Sequence, residues 1–310
     1  MTNRDTLRAM VVVNPASAAG ATGRRWDRTA RHLSAALGPF QHVFTQEPGH
    51  ATLLTRRALR DGFEMVVAVG GDGTLNEVVN GFFEAGIAAA PEAVLGIVAH
   101  GTGSDFARTI GATSLEEACA KLRGRTSRRI DVGHARFIDH AGLPAERVFL
   151  NVVSFGCSGL VARLVNSSLK RASGSLAFAM ATVRALLTYR DRMVTIRFDD
   201  EPLREYSITN CAFCNGKYFG AGMMVGPNAL IDDGRFDVTI WSGMGLADFV
   251  RLRGSLYDGT HIHLRGAQTV RVIRAEATSQ LEVLLEVDGE SVGHLPVQVQ
   301  TLPRAIRLKS

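Results

Sequence analysis

Cysteine is scarce in this chain. There are four in 310 residues, at 119, 157, 211 and 214. A scaffold held by disulfides is thereby excluded, and the thiols read as reduced, in keeping with a cytoplasmic protein. Cys211 and Cys214 are spaced as C-x-x-C, but no second pair and no nearby histidine joins them. They read as two strand cysteines, not as a zinc or redox centre. Long apolar runs are lacking too. None reaches the roughly 18 residues of a membrane span. The first apolar run, residues 10–13, is about five residues long with its flank, short of the roughly 7–15 of a signal-peptide core. Asn14-Pro15 follows it at once, so it reads as a first buried strand. Aromatics make up only 7% and charged residues 21%, yet 46% of the chain is hydrophobic, enough for a proper core and too much for a disordered chain. Proline is rare, with 9, whereas the 32 glycines show no period and imply many turns.

The net charge of +5 is concentrated. Between residues 163 and 192 lie six basic residues (Arg163, Lys170, Arg171, Arg184, Arg190 and Arg192) and one acid, Asp191, so the remainder is neutral. Such a segment is either a solvated face or a surface for phospholipid or nucleic acid.

The first part of the chain alternates strand and helix patterns. Strands are expected at 10–13, 42–45, 65–69 and 94–99, and helices at 23–37, 51–59, 75–83, 105–110 and 115–122. That alternation implies an α/β unit with a parallel sheet covered on both faces. After Gly124 the texture becomes β-rich, with strands expected at 148–153, 194–198, 206–210, 236–241, 269–273 and 281–287. A helix interrupts them at 175–187, where Leu176, Met180, Val183 and Leu187 form a stripe, and the second domain is expected to be mostly β with one or two helices. The stripe reads as a core helix of the second domain, or else as the border of a lipid entrance with Arg184, Arg190 and Arg192 facing anionic head groups. His261 and His263 read as part of an ordinary strand. The expected division is an α/β domain at 1–126 and a β-rich domain at 127–302, with one more short strand at about 303–310 returning to the first.

Three turns carry chemistry. "VVAVGGDGTLNEVVNG", residues 66–81, ends a buried strand in a bare acidic turn. Gly70, Gly71 and Gly73 permit close approach to backbone, Thr74 with Glu77 has the capping-box spacing, and a helix start offers N–H groups to phosphate. This is neither the dinucleotide G-x-G-x-x-G nor a lysine-bearing P-loop. Asp72 would repel bare phosphate, and makes sense beside Mg²⁺ or orienting a hydroxyl. "GIVAHGTGSDFART" repeats the arrangement, with Gly101, Thr102, Gly103, Ser104 as a cap and Asp105. Asn14-Pro15 with Ser17 and Gly20 makes a third polar loop. Three such loops at strand ends argue for a nucleotide site.

"GGDGTLNEVVNG" followed by "GTGSDFAR" resembles the diacylglycerol kinase catalytic-domain family, which includes sphingosine and related lipid kinases; soluble bacterial members are the nearest in pattern. "NPASAAGATGRR" is similar to its phosphate loop, "GAGMMVGPNALIDDGRFDVTIW" to its Asp-Asp-Gly segment, and "LEVDGE" to its late Asp-Gly-Glu motif. The resemblance covers nearly the whole chain. It implies an α/β nucleotide domain and a mainly antiparallel β-sandwich domain, with the active site in the cleft between them. It implies ATP and Mg²⁺, and a lipid alcohol such as diacylglycerol taken from the inner membrane face by peripheral association. Family analogy extends to a homodimer, and no nucleic-acid partner is implied. By this resemblance Asn14, Ser17, Gly71, Asp72, Gly73, Thr74, Gly101, Thr102 and Asp105 line the nucleotide side. Asp232, Asp233 and Asp237 match the segment associated with Mg²⁺. Glu290, with Asp288 beside it, matches the proposed general base, while in sphingosine kinases the acid matching Asp72 has that role; Glu290 is preferred. The chain departs from the pattern at Ser104, where many members carry Asn, and at Ala18 and Ala19, where glycine or lysine is common. No lysine lies near that loop, leaving Arg24 and Arg25 as substitutes. Two other readings stay open: an NAD kinase-like enzyme, which shares the Gly-Gly-Asp-Gly-Thr turn, and a non-catalytic nucleotide- or lipid-binding protein.

Overall fold

The computed structural model describes residues 7–100, 103–168 and 175–310, with side chains at all of these except 167–168 and 175–178. Gly101, Thr102, Lys170 and Arg171 therefore lie outside the described residues. The chain divides into two compact units, Met1–Asp131 with Arg304–Ser310, and Val132–Pro303.

The first unit runs β1 (Ala9–Val13), α1 (Ala21–Arg24), α2 (Trp26–Leu37), β2 (Gln41–Phe44), α3 (His50–Arg60), β3 (Met65–Gly70) and α4 (Asp72–Gly81). It continues with a small hairpin, β4 (Phe83–Glu84) and β5 (Ile87–Ala88), then β6 (Val94–Ala99), α5 (Asp105–Ile110) and α6 (Leu115–Arg123). The strands pair in parallel in the order β2-β1-β3-β6. Every residue of β3 is buried, because helices cover both faces. Val11, Val13, Val67 and Val69 pack against Trp26, Leu33 and Leu37 of α2 and Leu122 of α6. The alternate residues Val12, Val66 and Ala68 are left to the face on which α3 and α4 pack. A parallel strand covered twice needs an unbroken apolar run, which is what the sequence carries here.

The second unit is built from β7 (Ser127–Asp139), β8 (Pro144–Phe149), β9 (Val152–Gly156), α7 (Cys157–Ser168), α8 (Ser175–Thr188), β10 (Arg192–Phe198), β11 (Arg204–Ile208), β12 (Asn210–Cys214), β13 (Phe236–Trp241), α9 (Leu246–Asp258), β14 (Ala267–Val272), β15 (Arg274–Thr278), β16 (Leu284–Val287) and β17 (Glu290–Lys309). One run of strands is β14-β13-β12-β9-β16-β17; β17 also joins β7-β8 and, through β15, β10-β11. A large apolar core lies between its strands, with Phe149 stacked on Phe236 at 5.6 Å and Phe155, Phe213 and Ile196 around them. Cys211 and Cys214 are buried strand residues of β12, as expected. The last strand is long, not short. β17 has 20 residues, and its end adds to the first unit's sheet, Arg307 and Leu308 pairing in parallel with Val94 and Leu95. Arg304 N–H donates to Asp131 Oδ1 at 2.7 Å.

Three expectations are corrected. His261 and His263 lie in a 3₁₀ turn, Thr260–His263, in which buried His261 stacks on Trp241 at 5.5 Å. Of the helix stripe, Leu176 lies outside the residues whose side chains are described, and the rest is not core: Met180, Val183 and Leu187 are exposed, and α8 turns its small residues Ala181 and Ala185 inward instead. Small side chains let α8 approach α7 closely, while Met180, Val183 and Leu187 are left outside. The second unit also carries α7 and α9 besides α8, more helix than its strand-like texture suggested.

Candidate functional site

β1, β3 and β6 are parallel, so their carboxyl ends lie side by side and three loops leave from there. Asn14 ties two of them together. Its Nδ2 donates to Thr74 Oγ1 at 2.9 Å, its Oδ1 accepts the Ala16 N–H at 3.0 Å, and its own N–H donates to Val69 O. Ser17 Oγ donates to Asn14 O at 2.9 Å and lies 2.6 Å from Thr22 Oγ1. The loop then passes through Ala18, Ala19 and Gly20 at φ of 51, 52 and 79°. Left-handed backbone costs an alanine roughly 1–2 kcal/mol. Arg24 and Arg25 follow, exposed and without an ion pair among the described residues, and Arg24 Nη1 donates to Ala19 O at 3.2 Å.

The Gly-Gly-Asp-Gly-Thr turn does not cap its helix as the spacing predicts. α4 starts at Asp72, earlier than expected, so Thr74 falls inside the first turn and pairs with Asn14. Glu77 reaches α3 instead, accepting the N–H of Gly49 at 2.8 Å and of Ala51 at 3.0 Å. Ser104 does not cap α5 with its side chain either. The Asp105 N–H donates to Asp72 Oδ1 at 3.0 Å, so the acid of one loop holds the helix start of the next. Burial, and then the charge of Asp105, raise the Asp72 carboxyl from 3.8 to about 6, against the pull of the Phe106, Asp105 and Ser104 amides. A Cβ on Gly103 would lie 2.9 Å from Asp72 Oδ2 and 3.6 Å from Asp105 Oδ2, so this glycine leaves a cradle faced by two acid oxygens. A Cβ on Gly71 would meet only His100 O, at 3.9 Å, and that backbone face is open. His100 was not singled out from sequence. Its Nε2 is buried without a hydrogen bond, and burial and then Arg25 lower its proton affinity. Asn14, Ser17, Gly71, Asp72, Gly73, Thr74 and Asp105 thus gather on adjoining loops, with Gly101 and Thr102 outside the described residues.

In the second unit, Glu290 follows a two-residue hairpin turn. Asp288 and Gly289 have φ of 47 and 88°, the signature of a type I′ turn, and Val287 pairs with Glu290. The Asp288 carboxylate accepts three consecutive backbone N–H groups, those of Leu150 (3.1 Å), Asn151 (3.0 Å) and Val152 (3.0 Å). This explains why the strand expected at 148–153 is broken. Its middle amides turn to a carboxylate, leaving β8 and β9 as separate strands. Asp288 is therefore the anchor of the turn. Glu290 is 38% exposed and pairs with Arg147 at 2.6 Å, a partner the sequence did not indicate.

The acids Asp232, Asp233 and Asp237 lie just before and within β13. Arg271 pairs with Asp233 and lies 3.7 Å from Asp237 Oδ2, an oxygen that is buried with no hydrogen bond. Asp233 Oδ1 also accepts the Arg235 N–H at 3.1 Å, and Asp232 is exposed. No group of three or more His, Cys, Asp or Glu residues could hold a metal ion among the described residues.

Two hollows stand out in this unit. A groove of about 750 Å³ is lined by charges already matched, Arg197 with Glu276 at 2.6 Å and Arg274 with Asp200. The other, about 110 Å³, has walls of Val161, Leu186, Phe219, Met223, Trp241 and Phe249, with Ser158, Thr209 and Asn210 as polar points.

The family model for the diacylglycerol kinase catalytic domain matches residues 8–135, and that for the YegS C-terminal NAD kinase beta sandwich-like domain matches residues 151–310. The chain belongs to the diacylglycerol kinase family. It is 29% identical to the diacylglycerol kinase of Bacillus subtilis over 316 residues, covering 97% of this chain and 95% of that one. It is 30% identical to that of Staphylococcus haemolyticus over 265 residues, covering 85% and 76%. In fold it is similar to a crystal structure of a diacylglycerol kinase from Bacillus anthracis, with a TM-score of 0.71 at 22% identity over 97% of this chain and 96% of that one. It is also similar to yeast NADH kinase complexed with NADH, with a TM-score of 0.53 at 11% identity over 98% and 83%. At such identities the solved structures speak for the fold alone. Membership of the diacylglycerol kinase family makes the chain a kinase with an alcohol acceptor, built as an α/β domain and a β-rich, sandwich-like domain. Among the described residues, no helix of this family member is long and apolar enough to cross a membrane.

Proposed function

We propose that this diacylglycerol kinase family member transfers the γ-phosphate of ATP, with Mg²⁺, to the hydroxyl of diacylglycerol or a related lipid alcohol. The observation that carries the reading is the convergence of Asp72 and Asp105 on Gly103, whose missing side chain leaves room for their carboxylate oxygens, on loops of bare glycine backbone. The open face of Gly71 and the start of α4 suit phosphate oxygens, and Arg24 and Arg25 supply the positive charge that a lysine would give elsewhere. Mg²⁺ would neutralise charge on the phosphates, and the two acid oxygens at Gly103 are the hard donors it prefers. In the acidic segment 232–237, Asp237 Oδ2 is buried without a hydrogen bond and faces Arg271 at 3.7 Å, so a cation there would have to share it with the guanidinium.

Glu290 is the base we prefer, with Arg147 fixing its direction. As the lipid oxygen bonds to the γ-phosphorus and the bond to the ADP oxygen breaks, the carboxylate takes the hydroxyl proton. The apolar 110 Å³ cavity suits a hydrocarbon chain. The exposed Met180, Val183 and Leu187, with Arg184 and Arg190 also exposed, suit a helix lying on an anionic membrane. We therefore place the enzyme in the cytoplasm, working at the inner membrane face.

The test is transfer of labelled γ-phosphate from ATP to dioctanoylglycerol in mixed micelles. D72A and E290A should each abolish transfer while retaining the wild-type circular dichroism spectrum. Full activity in both variants would remove the site assignment, and robust phosphorylation of NAD in place of lipid would overturn the substrate class.

A further inference from the structure

Glu286 is fully buried on β16, two residues before the Asp288–Gly289 turn that leads into Glu290. Its Oε2 accepts the Gly289 N–H at 2.7 Å, which places the carboxyl directly under that turn. Its Oε1 meets Ser154 Oγ on β9, and Ser154 Oγ lies 2.7 Å from Ser158 Oγ on α7. Ser154 is fully buried, whereas Ser158 lines the apolar cavity. A continuous hydrogen-bonded chain thus runs from the cavity wall to the hairpin turn, using groups that phosphoryl transfer itself does not need.

We infer that Glu286 is a positioning residue which, through Ser154, aims the Ser158 hydroxyl as a donor into the cavity and so selects lipids bearing a hydrogen-bond acceptor there, such as the ester carbonyl of an acylglycerol. The inference rests on the reading of the cavity as the lipid site. The direction follows from counting hydrogens. Oε2 is occupied as an acceptor of Gly289 N–H, so a neutral carboxyl carries its proton on Oε1 and donates to Ser154 Oγ. Ser154 then donates to Ser158, and the Ser158 hydrogen is left for the cavity. An ionised carboxylate reverses every bond: Ser158 donates to Ser154, Ser154 to Glu286, and the cavity faces an oxygen lone pair. The groups that bear on Glu286 are Asp288 on the turn and Cys214 on β12, while β9 and α7 bring the two hydroxyls. Burial, with a smaller push from Asp288, raises the Glu286 carboxyl to about 8 against the pull of the Ser154 hydroxyl and the Gly289 and Ser154 amides, so the donating arrangement prevails near neutrality.

The experiment compares dioctanoylglycerol with its ether analogue di-O-octylglycerol, which lacks the carbonyls, in wild type, S158A, E286Q and E286L. Loss of one hydrogen bond to the carbonyl should cut the ester-over-ether preference in kcat/KM by about tenfold in S158A and E286L, chiefly through KM. E286Q keeps an acceptor for Gly289 and a donor for Ser154 at every pH. It should therefore remove the rise in ester KM that the wild type shows above about pH 8. In parallel, the ¹⁵N–¹H signal of Gly289 is followed on adding dioctanoylglycerol, without ATP. It should move in the wild type and stay fixed in S158A. A Gly289 shift without lipid turnover would overturn the kinase reading and leave the chain of hydrogen bonds standing. Lipid turnover with an unchanged ester preference in S158A, or with the alkaline limb intact in E286Q, would overturn the inference.

Discussion

Asp72 should make the protein less stable at neutral pH than an amide in its place. The acid's proton affinity is raised from 3.8 to about 6, first by burial and then by Asp105. Between those values the folded chain holds a proton that the unfolded chain has released, so stability falls as pH rises through the window and the whole cost is present above it. That cost is about 3 kcal/mol at pH 8, and about 1 kcal/mol at pH 4.5. D72N removes the charge but keeps an oxygen to accept the Asp105 N–H, so it should stabilise the first unit by nearly these amounts while abolishing catalysis. The assay is urea unfolding in metal-free buffer containing EDTA, at pH 8 and pH 4.5. The chain has two tryptophans. In a W241F background, Trp26, packed in the core of the first unit, is the remaining fluorescent reporter. A variant less stable than its parent at pH 8, or a gain equal at the two pH values, would refute the reasoning. Added Mg²⁺ should also stabilise the parent more than D72N, because a cation between the two acids offsets the repulsion that the amide removes by itself.

Relief of backbone strain is expected in the first loop: A18G or A19G should stabilise by about 0.5–1 kcal/mol in the same unfolding assay, the lower end of what left-handed alanine costs once glycine's chain entropy is subtracted. D288A leaves the Leu150, Asn151 and Val152 amides without their carboxylate and should cost about 3 kcal/mol of stability; hydrogen exchange should rise first at those three amides. Filling the cavity with V161W should raise KM for dioctanoylglycerol while leaving ATP hydrolysis in the absence of lipid at its parental rate.

Much of this was legible in the sequence, for stated reasons. Parallel strands covered on both faces write themselves as unbroken apolar runs, so β3 and β6 were bounded to within a residue. Turns with bare glycine and an acid at the strand ends marked, before any geometry, the loops that adjoin at the carboxyl ends of β1, β3 and β6. Local spacing failed where a long-range partner outbid it. Thr74 and Glu77 have the capping-box interval, yet Asn14 and the start of α3 took them. Ser104 sits where a cap belongs, but Asp72, 33 residues before Asp105, supplies a carboxylate to the Asp105 N–H. The helix stripe of α8 misled for a different reason. Periodicity reports an apolar face and not what covers it, and here the small residues Ala181 and Ala185 turn inward. Glu286 left one faint signal, a lone acid within the buried strand sequence LLEV. Its partners Ser154 and Ser158 lie more than a hundred residues earlier and no local pattern points to them.

The return of β17 to the first sheet bears on how the protein is made. Arg304 meets Asp131 across 173 residues of chain. During synthesis the α/β unit therefore waits, with the outer edge of β6 uncovered, until the whole β-rich unit has left the ribosome. That edge is a template for stray strands during the interval. The order of completion is thus inverted: the unit begun first is finished last, and a nonsense mutation shortly before residue 304 would disable the half of the molecule encoded furthest from it.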